Sequence, residues 1–228
     1  MILECKDLTK IFVGKRAVSN VNLSLEKGRI YGLLGENGSG KTTWMKMIAG
    51  LTKPSSGEIL YKGHRLCYRD KAEIAYMSTE PFYYDYMKVE DVGQYYQDFF
   101  EDFDLKKFRE VISRSGLDES MKVRNLSSGM SAKLKIAATI SRKAALCLLD
   151  EPLNGIDYKA REEIISLILD EAGEENTFVI STHLLEEIES FVDTAIFIKS
   201  GEVVKTADLE RERIESGRSL TDIYMEIM

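Results

Sequence analysis

The sequence is short of basic charge, of cysteine and of long apolar runs, and each shortage removes a class of function. Its formal net charge is −7. A chain of that sign lacks the excess of Lys and Arg that displaces counterions from nucleic acid, so no nucleic-acid partner is expected. The acidity itself reads as solubility. There are three cysteines, Cys5, Cys67 and Cys147, scattered and without a CxxC pair. They predict a reducing compartment, no disulfide framework and no zinc site. Cys147 falls inside an apolar run and reads as a small core residue. The strongest apolar stretches, such as 144–149, fall far short of the ~20 residues that span a bilayer. No basic segment followed by an apolar run opens the chain, which predicts no secretory signal. The expected location is therefore cytoplasmic, with any membrane role borrowed from a partner.

No repeat, low-complexity stretch or long linker divides the 228 residues, enough for one α/β domain with a sizeable core. The opening reads as β-rich, with strands at 2–6 and 21–25 and a turn at Gly28. Residues 30–34 form a short apolar run between glycines, the signature of a buried strand. Trp44, Met47, Ile48 and Leu51 recur at helical spacing until Pro54 and Gly57 end the pattern. Further strands are predicted at 59–61 and 74–77. From 83 to 143 the character turns helical. Val92, Tyr95, Tyr96, Phe99 and Phe103 mark one face of a predicted helix, with Asp98, Glu101 and Asp102 on the other. That aromatic stripe reads as core, because its acidic neighbours repel phosphates. Strand patterns return at 145–149, 177–180 and 195–198, with a crossover helix over 158–169 between the first two. Strand, helix, strand predicts a parallel sheet with right-handed connections.

Gly35-Glu36-Asn37-Gly38-Ser39-Gly40-Lys41-Thr42 fits GxxxxGK[ST] and lies between a predicted strand and a predicted helix. The glycines let the backbone turn tightly and aim N–H groups at phosphate, and the helix adds its positive end. In that pattern Lys41 reaches the β- and γ-phosphates and Thr42 places a hydroxyl on Mg²⁺. Leu146-Cys147-Leu148-Leu149-Asp150-Glu151 is an apolar strand ending in two acids. At the C-terminal end of a parallel strand, facing the ligand crevice, such acids divide the work. Asp150 is expected to hold Mg²⁺ and Glu151 to orient or deprotonate the attacking water. His183 follows another strand pattern and is placed either to reach the γ-phosphate or to serve a structural role. His64, in a Gly-His-Arg turn, reads as a surface residue.

Together these residues resemble the nucleotide-binding domain of the ABC ATPases. The resemblance spans nearly the whole chain, with the motifs in the family's order. The phosphate loop runs on through Thr43. Leu126-Ser127-Ser128-Gly129-Met130 resembles the LSGGQ signature, Asn154-Gly155-Ile156-Asp157 the D-loop, and Ser181-Thr182-His183 the switch-histidine segment. Phe12 stands where the family stacks an aromatic on adenine, the alternative being ordinary strand packing. The resemblance implies a P-loop NTPase fold, α/β, with a parallel-sheet core, a β-rich N-terminal subdomain and an inserted helical subdomain. The implied division is 1–82 and 144–205 for the core, 83–143 for the helical part and 206–228 for the tail.

The resemblance further implies ATP and Mg²⁺ as cofactors and catalysis by Glu151, His183 and Lys41. It implies an ATP site at Phe12, Gly35, Asn37, Gly38, Ser39, Gly40, Lys41, Thr42 and Thr43, with Ser127 and Gly129 contributed by a second copy bound head to tail. Thr42 and Asp150 are the implied metal ligands, with Thr79 as a further candidate. The family's glutamine is replaced here by Thr79, a shorter oxygen donor, and the signature carries Ser128 and Met130 for glycine and glutamine. These departures predict slower hydrolysis or an unequal partner. The implied partners are a separate transmembrane permease subunit, with the protein peripheral on the inner face of the cell membrane, and either a homodimer or a heterodimer with a related ATPase. Phe82, Tyr83, Tyr84 and Tyr86 are candidates for the permease-docking patch, with core packing as the alternative. The tail resembles that of drug- and antibiotic-export ATPases. Two alternatives stay open: a soluble ABC ATPase without a transport role, and an ATP-binding subunit that hydrolyses weakly.

Overall fold

In the computed structural model, which describes residues 1–81 and 83–227, the strands fall into two sheets. β1 (Leu3–Phe12) and β2 (Lys15–Leu25) form an antiparallel hairpin in the first. β4 (Ser56–Tyr61) pairs on the other side of β1, and the two-residue β5 (His64–Arg65) closes the order β2-β1-β4-β5. The second sheet comprises β3 (Ile30–Leu34), β6 (Ile74–Met77), β7 (Leu146–Asp150), β8 (Thr177–Thr182), β9 (Thr194–Lys199) and β10 (Glu202–Asp208) in the order β10-β9-β3-β8-β7-β6. Its pairings are parallel except for the antiparallel edge strand β10. β3, β7 and β8 are buried at every position. That explains why they read as unbroken apolar runs rather than alternating patterns.

The central sheet separates two cores. On one face Tyr31 and Leu33 of β3 pack with Trp44, Met45 and Tyr61 under the antiparallel sheet. On the other, Ile30 and Leu34 join Phe108, Leu134 and Phe178 beneath the helices. The helices are α1 (Lys41–Ile48), α2 (Val89–Phe99), α3 (Leu105–Arg114), α4 (Ser128–Ile140), α5 (Tyr158–Glu171), α6 (Leu185–Ile188), α7 (Leu209–Ser216) and α8 (Leu220–Ile227). No helix among the described residues is long and apolar enough to cross a membrane.

The aromatic stripe departs from expectation. It does not run along one helix to Phe103, because α2 stops at Phe99. Asp104 accepts a hydrogen bond from the Lys107 N–H and starts α3 afresh. Phe103 sits in the intervening turn, still in the core, 5.6 Å from the Tyr96 ring and 5.7 Å from that of Phe108. Asp102 is likewise not on a solvated helix face. It receives the Arg142 guanidinium at 3.0 Å, while the same guanidinium bonds the Ile74 and Ala72 carbonyls and lies 4.2 Å from the Phe100 ring. This arginine fastens the helical lobe to the start of β6. β10, α7 and α8 lie in a stretch for which no elements were predicted. Of the aromatic segment, Tyr83 is buried, whereas Tyr84 and Tyr86 are exposed and stacked 5.4 Å apart. Phe82 lies outside the described residues.

Candidate nucleotide-binding site

The loop from β3 to α1 needs its glycines for specific contacts. A Cβ on Gly35 would lie 2.2 Å from the Ile198 carbonyl oxygen, and one on Gly40 2.4 Å from that of Ala17. Gly40 also holds φ at 111°, the left-handed region. A Cβ on Gly38 would meet nothing within 4 Å, so the loop opens there. The Ser39 hydroxyl is buried with no hydrogen-bond partner among the described residues. α4 and α5 are capped by the Ser127 and Asp157 side chains, but α1 has no side-chain cap. Its first N–H groups are left for a ligand, and a helix N-terminus favours an anion.

Lys41 follows the loop and is buried. Its ammonium donates to the Gly35 carbonyl at 2.7 Å and to that of Glu36 at 3.2 Å, and lies 3.5 Å from Glu151 Oε1. Next to it, Thr42 donates to Asp150 Oδ1 at 3.1 Å. Asp150 ends β7 with no solvent exposure. It is held by two further donors: Ser181 of β8 at 2.7 Å to Oδ1 and the Tyr76 hydroxyl of β6 at 3.1 Å to Oδ2. Burial, with the Asp150 charge beside it, pushes the Tyr76 phenol well up, so it stays protonated and remains a donor.

Glu151 takes a backbone conformation unusual for any residue but glycine, φ 50°. That geometry costs about 1–3 kcal/mol and is characteristic of functional positions. Its N–H holds it there, donating to the Ser181 carbonyl at 3.1 Å and to the Ser181 hydroxyl oxygen at 3.0 Å. Its side chain then spans from Lys41 to His183, whose Nδ1 is 3.1 Å from Oε2.

A cleft of about 410 Å³ opens over these groups. Phe12 and Lys15 form one wall, and Asn37, Gly38, Gly40, Lys41, Thr42, Thr43, Thr79 and Glu151 complete it with Ala17 and Asn154. Residues from four separate stretches of sequence therefore meet at one place. Phe12 is 49% exposed, and the Lys10 ammonium sits 5.0 Å from its ring centre. It is thus not an ordinary packed strand residue. Thr79 faces the cleft, and its carbonyl accepts from Lys135 of α4 at 2.9 Å, linking this edge of the site to the helical lobe.

Ser127 and Gly129 do not line this cleft. Ser127 is exposed and caps α4, and Gly129 packs against the start of α5, where a Cβ would lie 3.0 Å from Ala160 Cβ. Tyr76 and the Ser181 hydroxyl are site residues that sequence reasoning left out. Asp150 and Ser181 are register partners on adjacent strands. That adjacency depends on sheet order, which local sequence does not encode.

Residues 18–154 match the family model described as "ABC transporter". The chain belongs to the ABC transporter family. This ABC protein is 36% identical to the uncharacterised ABC transporter ATP-binding protein YcbN of Bacillus subtilis, over 93% of the chain and 71% of that relative. It is 31% identical to the lantibiotic transport ATP-binding protein SrtF of Streptococcus pyogenes, covering 98% and 96%. It is 32% identical to the bacitracin transport ATP-binding protein BcrA of Enterococcus faecalis, covering 91% and 70%. Among solved structures it resembles an ATP-binding subunit of an ABC transporter with a TM-score of 0.87 at 24% identity, covering 99% of each chain. It also resembles the dimeric cassette MJ0796 in a post-hydrolysis state with ADP and Pi, with a TM-score of 0.80 at 23% identity, covering 91% of this chain and 99% of that one. The ABC protein is an ATPase with the P-loop α/β fold.

Proposed function

We propose that this ABC ATPase is the motor subunit of an exporter, working from the inner face of the membrane on a separate transmembrane permease. The observation that carries the catalytic part is the contact chain Lys41–Glu151–His183 beside the phosphate loop. In this reading the loop N–H groups and the uncapped end of α1 receive the phosphates. Lys41 exchanges its carbonyl partners at Gly35 and Glu36 for β- and γ-phosphate oxygens. Glu151 accepts the proton of the attacking water at a carboxylate oxygen. His183, with Nδ1 on Glu151, leaves its other ring nitrogen for the γ-phosphate. Phe12 stacks on the adenine.

The donor set fits Mg²⁺, since the Thr42 hydroxyl and Asp150 carboxylate are hard oxygen ligands already in contact and Thr79 adds another hydroxyl at the cleft. When bound, Mg²⁺ would neutralise charge developing on the transferring phosphoryl group. Tyr76 and Ser181 would keep the Asp150 carboxylate aimed at Thr42.

Ser127 and the α4 N-terminus, exposed and away from this cleft, suit a site completed by a second subunit, either another copy or a related ATPase. Thr79 and the LSSGM signature favour slow turnover. For the permease, the reading assigns an apolar groove of about 330 Å³ between Ala49 and Leu51 after α1 and Tyr95 and Phe99 of α2, with exposed Tyr84 and Tyr86 as further contacts. Export is favoured by the relatives named for lantibiotic and bacitracin transport. The test is a pull-down of the tagged protein from detergent-solubilised membranes. A polytopic membrane protein in stoichiometric amount is the expected result. Recovery of soluble partners alone would overturn the transporter reading.

A further inference from the structure

His64, Cys67 and Asp70 lie outside the nucleotide cleft and serve none of the roles above. The tight turn at Lys62 and Gly63, both at positive φ, sends β5 back along β4. The chain then enters a 3₁₀ turn over Arg69–Glu73. This path brings His64 Nε2, Cys67 Sγ and an Asp70 carboxylate oxygen within 4.8 Å of one another. Asp70 Oδ1 is 2.9 Å from His64 Nε2, and Oδ2 accepts the Cys67 N–H at 2.7 Å. The carboxylate is therefore fixed in orientation, with its side chain only 12% exposed, while His64 and Cys67 are open to solvent. Burial alone would push its carboxyl up, but the Cys67 N–H and His64 bring it below the usual carboxylate range. The neighbouring cations point elsewhere. Lys62 pairs with Glu73, Lys71 donates to the Gly50 carbonyl, and Arg69 lines a groove with Phe99 and Phe100. Arg65, next to His64 on a strand, projects to the opposite face.

We propose that His64, Cys67 and Asp70 form a three-ligand surface site for a divalent transition ion of the zinc class. One imidazole nitrogen, one thiolate and one carboxylate suit such a borderline ion and leave a fourth tetrahedral position for water. Hard Mg²⁺ is disfavoured by the sulfur. Ligand atoms at ~2.0–2.3 Å from a tetrahedral ion stand roughly 3.3–3.7 Å apart, so the longer of the three separations, at most 4.8 Å, must close by about an ångström while the 2.9 Å His64–Asp70 pair opens slightly, within reach of rotation by two exposed side chains. Binding releases one proton per ion, from the Cys67 thiol. The neutral imidazole moves its proton to Nδ1 and binds through Nε2. No electron is transferred. The ion would tie β5 to the 3₁₀ turn, and so stiffen the segment carrying Tyr68, Arg69 and Lys71 on the groove wall.

The test uses the full chain, stripped of metal and free of nucleotide, titrated with Co²⁺ and then Zn²⁺. Tetrahedral Co²⁺ bound to thiolate gives a near-ultraviolet charge-transfer band, which oxygen ligands at the phosphate loop do not. One equivalent of band-forming Co²⁺, displaced by Zn²⁺, is expected. Cys67→Ser should abolish the band, and His64→Gln should weaken Zn²⁺ binding by about tenfold or more. Both replaced side chains are exposed, and an unchanged melting temperature in the absence of metal would verify the fold. Absence of the band in the wild-type protein, or its survival in Cys67→Ser, would overturn the proposal.

Discussion

Replacing Tyr76 by Phe removes one oxygen and leaves the ring. The lost hydroxyl donates to Asp150 Oδ2 at 3.1 Å, and the Asp150 side chain has no solvent contact, so no water takes its place. Two of the three donors remain, Thr42 and Ser181, both on the other oxygen. A hydrogen bond to a charged, buried group contributes about 1.5–3 kcal/mol. For a domain of this length each kcal/mol shifts the melting temperature by about 2–4 °C, so the expected fall is about 3–12 °C at neutral pH. Scanning calorimetry of the nucleotide-free protein reads this directly. A change below about 1 °C would refute the claim that this hydroxyl holds the carboxylate.

Phe12→Ala should raise the KM for ATP about 5- to 150-fold with kcat little changed, from loss of about 1–3 kcal/mol of stacking; an unaltered KM would return Phe12 to a structural role. Of the three cysteines, only Cys67 is exposed, and burial pushes the Cys5 and Cys147 thiols up to about 12. A thiol reagent at pH 8 should therefore modify one cysteine in the native protein and all three after unfolding. Arg142→Met strips a buried guanidinium from Asp102 and from two carbonyls, and should cost about 3 kcal/mol or more, measured by urea unfolding.

The phosphate loop, β3, β6 and the acidic end of β7 were legible because each combines a local pattern with a chemical requirement. Residues 30–34 had to be buried on both faces, and Gly40 could carry no Cβ against the Ala17 carbonyl. The break between α2 and α3 was not legible. Phe103 continues the apolar spacing, and only the Asp104 cap reveals a new start. β10 alternates weakly because it is a half-exposed edge strand. Tyr76 carries no local signal for a different reason: its partner Asp150 stands 74 residues away, on the neighbouring strand. His64, Cys67 and Asp70 lacked a recognised metal-binding spacing, and only the turn at Gly63 brings them together.

The central claim is that Glu151, poised between Lys41 and His183, makes this cleft an ATP-hydrolysing site. The most direct test is phosphate release by the purified protein with ATP and Mg²⁺, beside the Glu151→Gln variant, with both run on a sizing column in the same buffer. The wild type should release phosphate. The variant should bind ATP, elute as a dimer and turn over about 100-fold more slowly. Turnover in Glu151→Gln equal to that of the wild type would contradict the account.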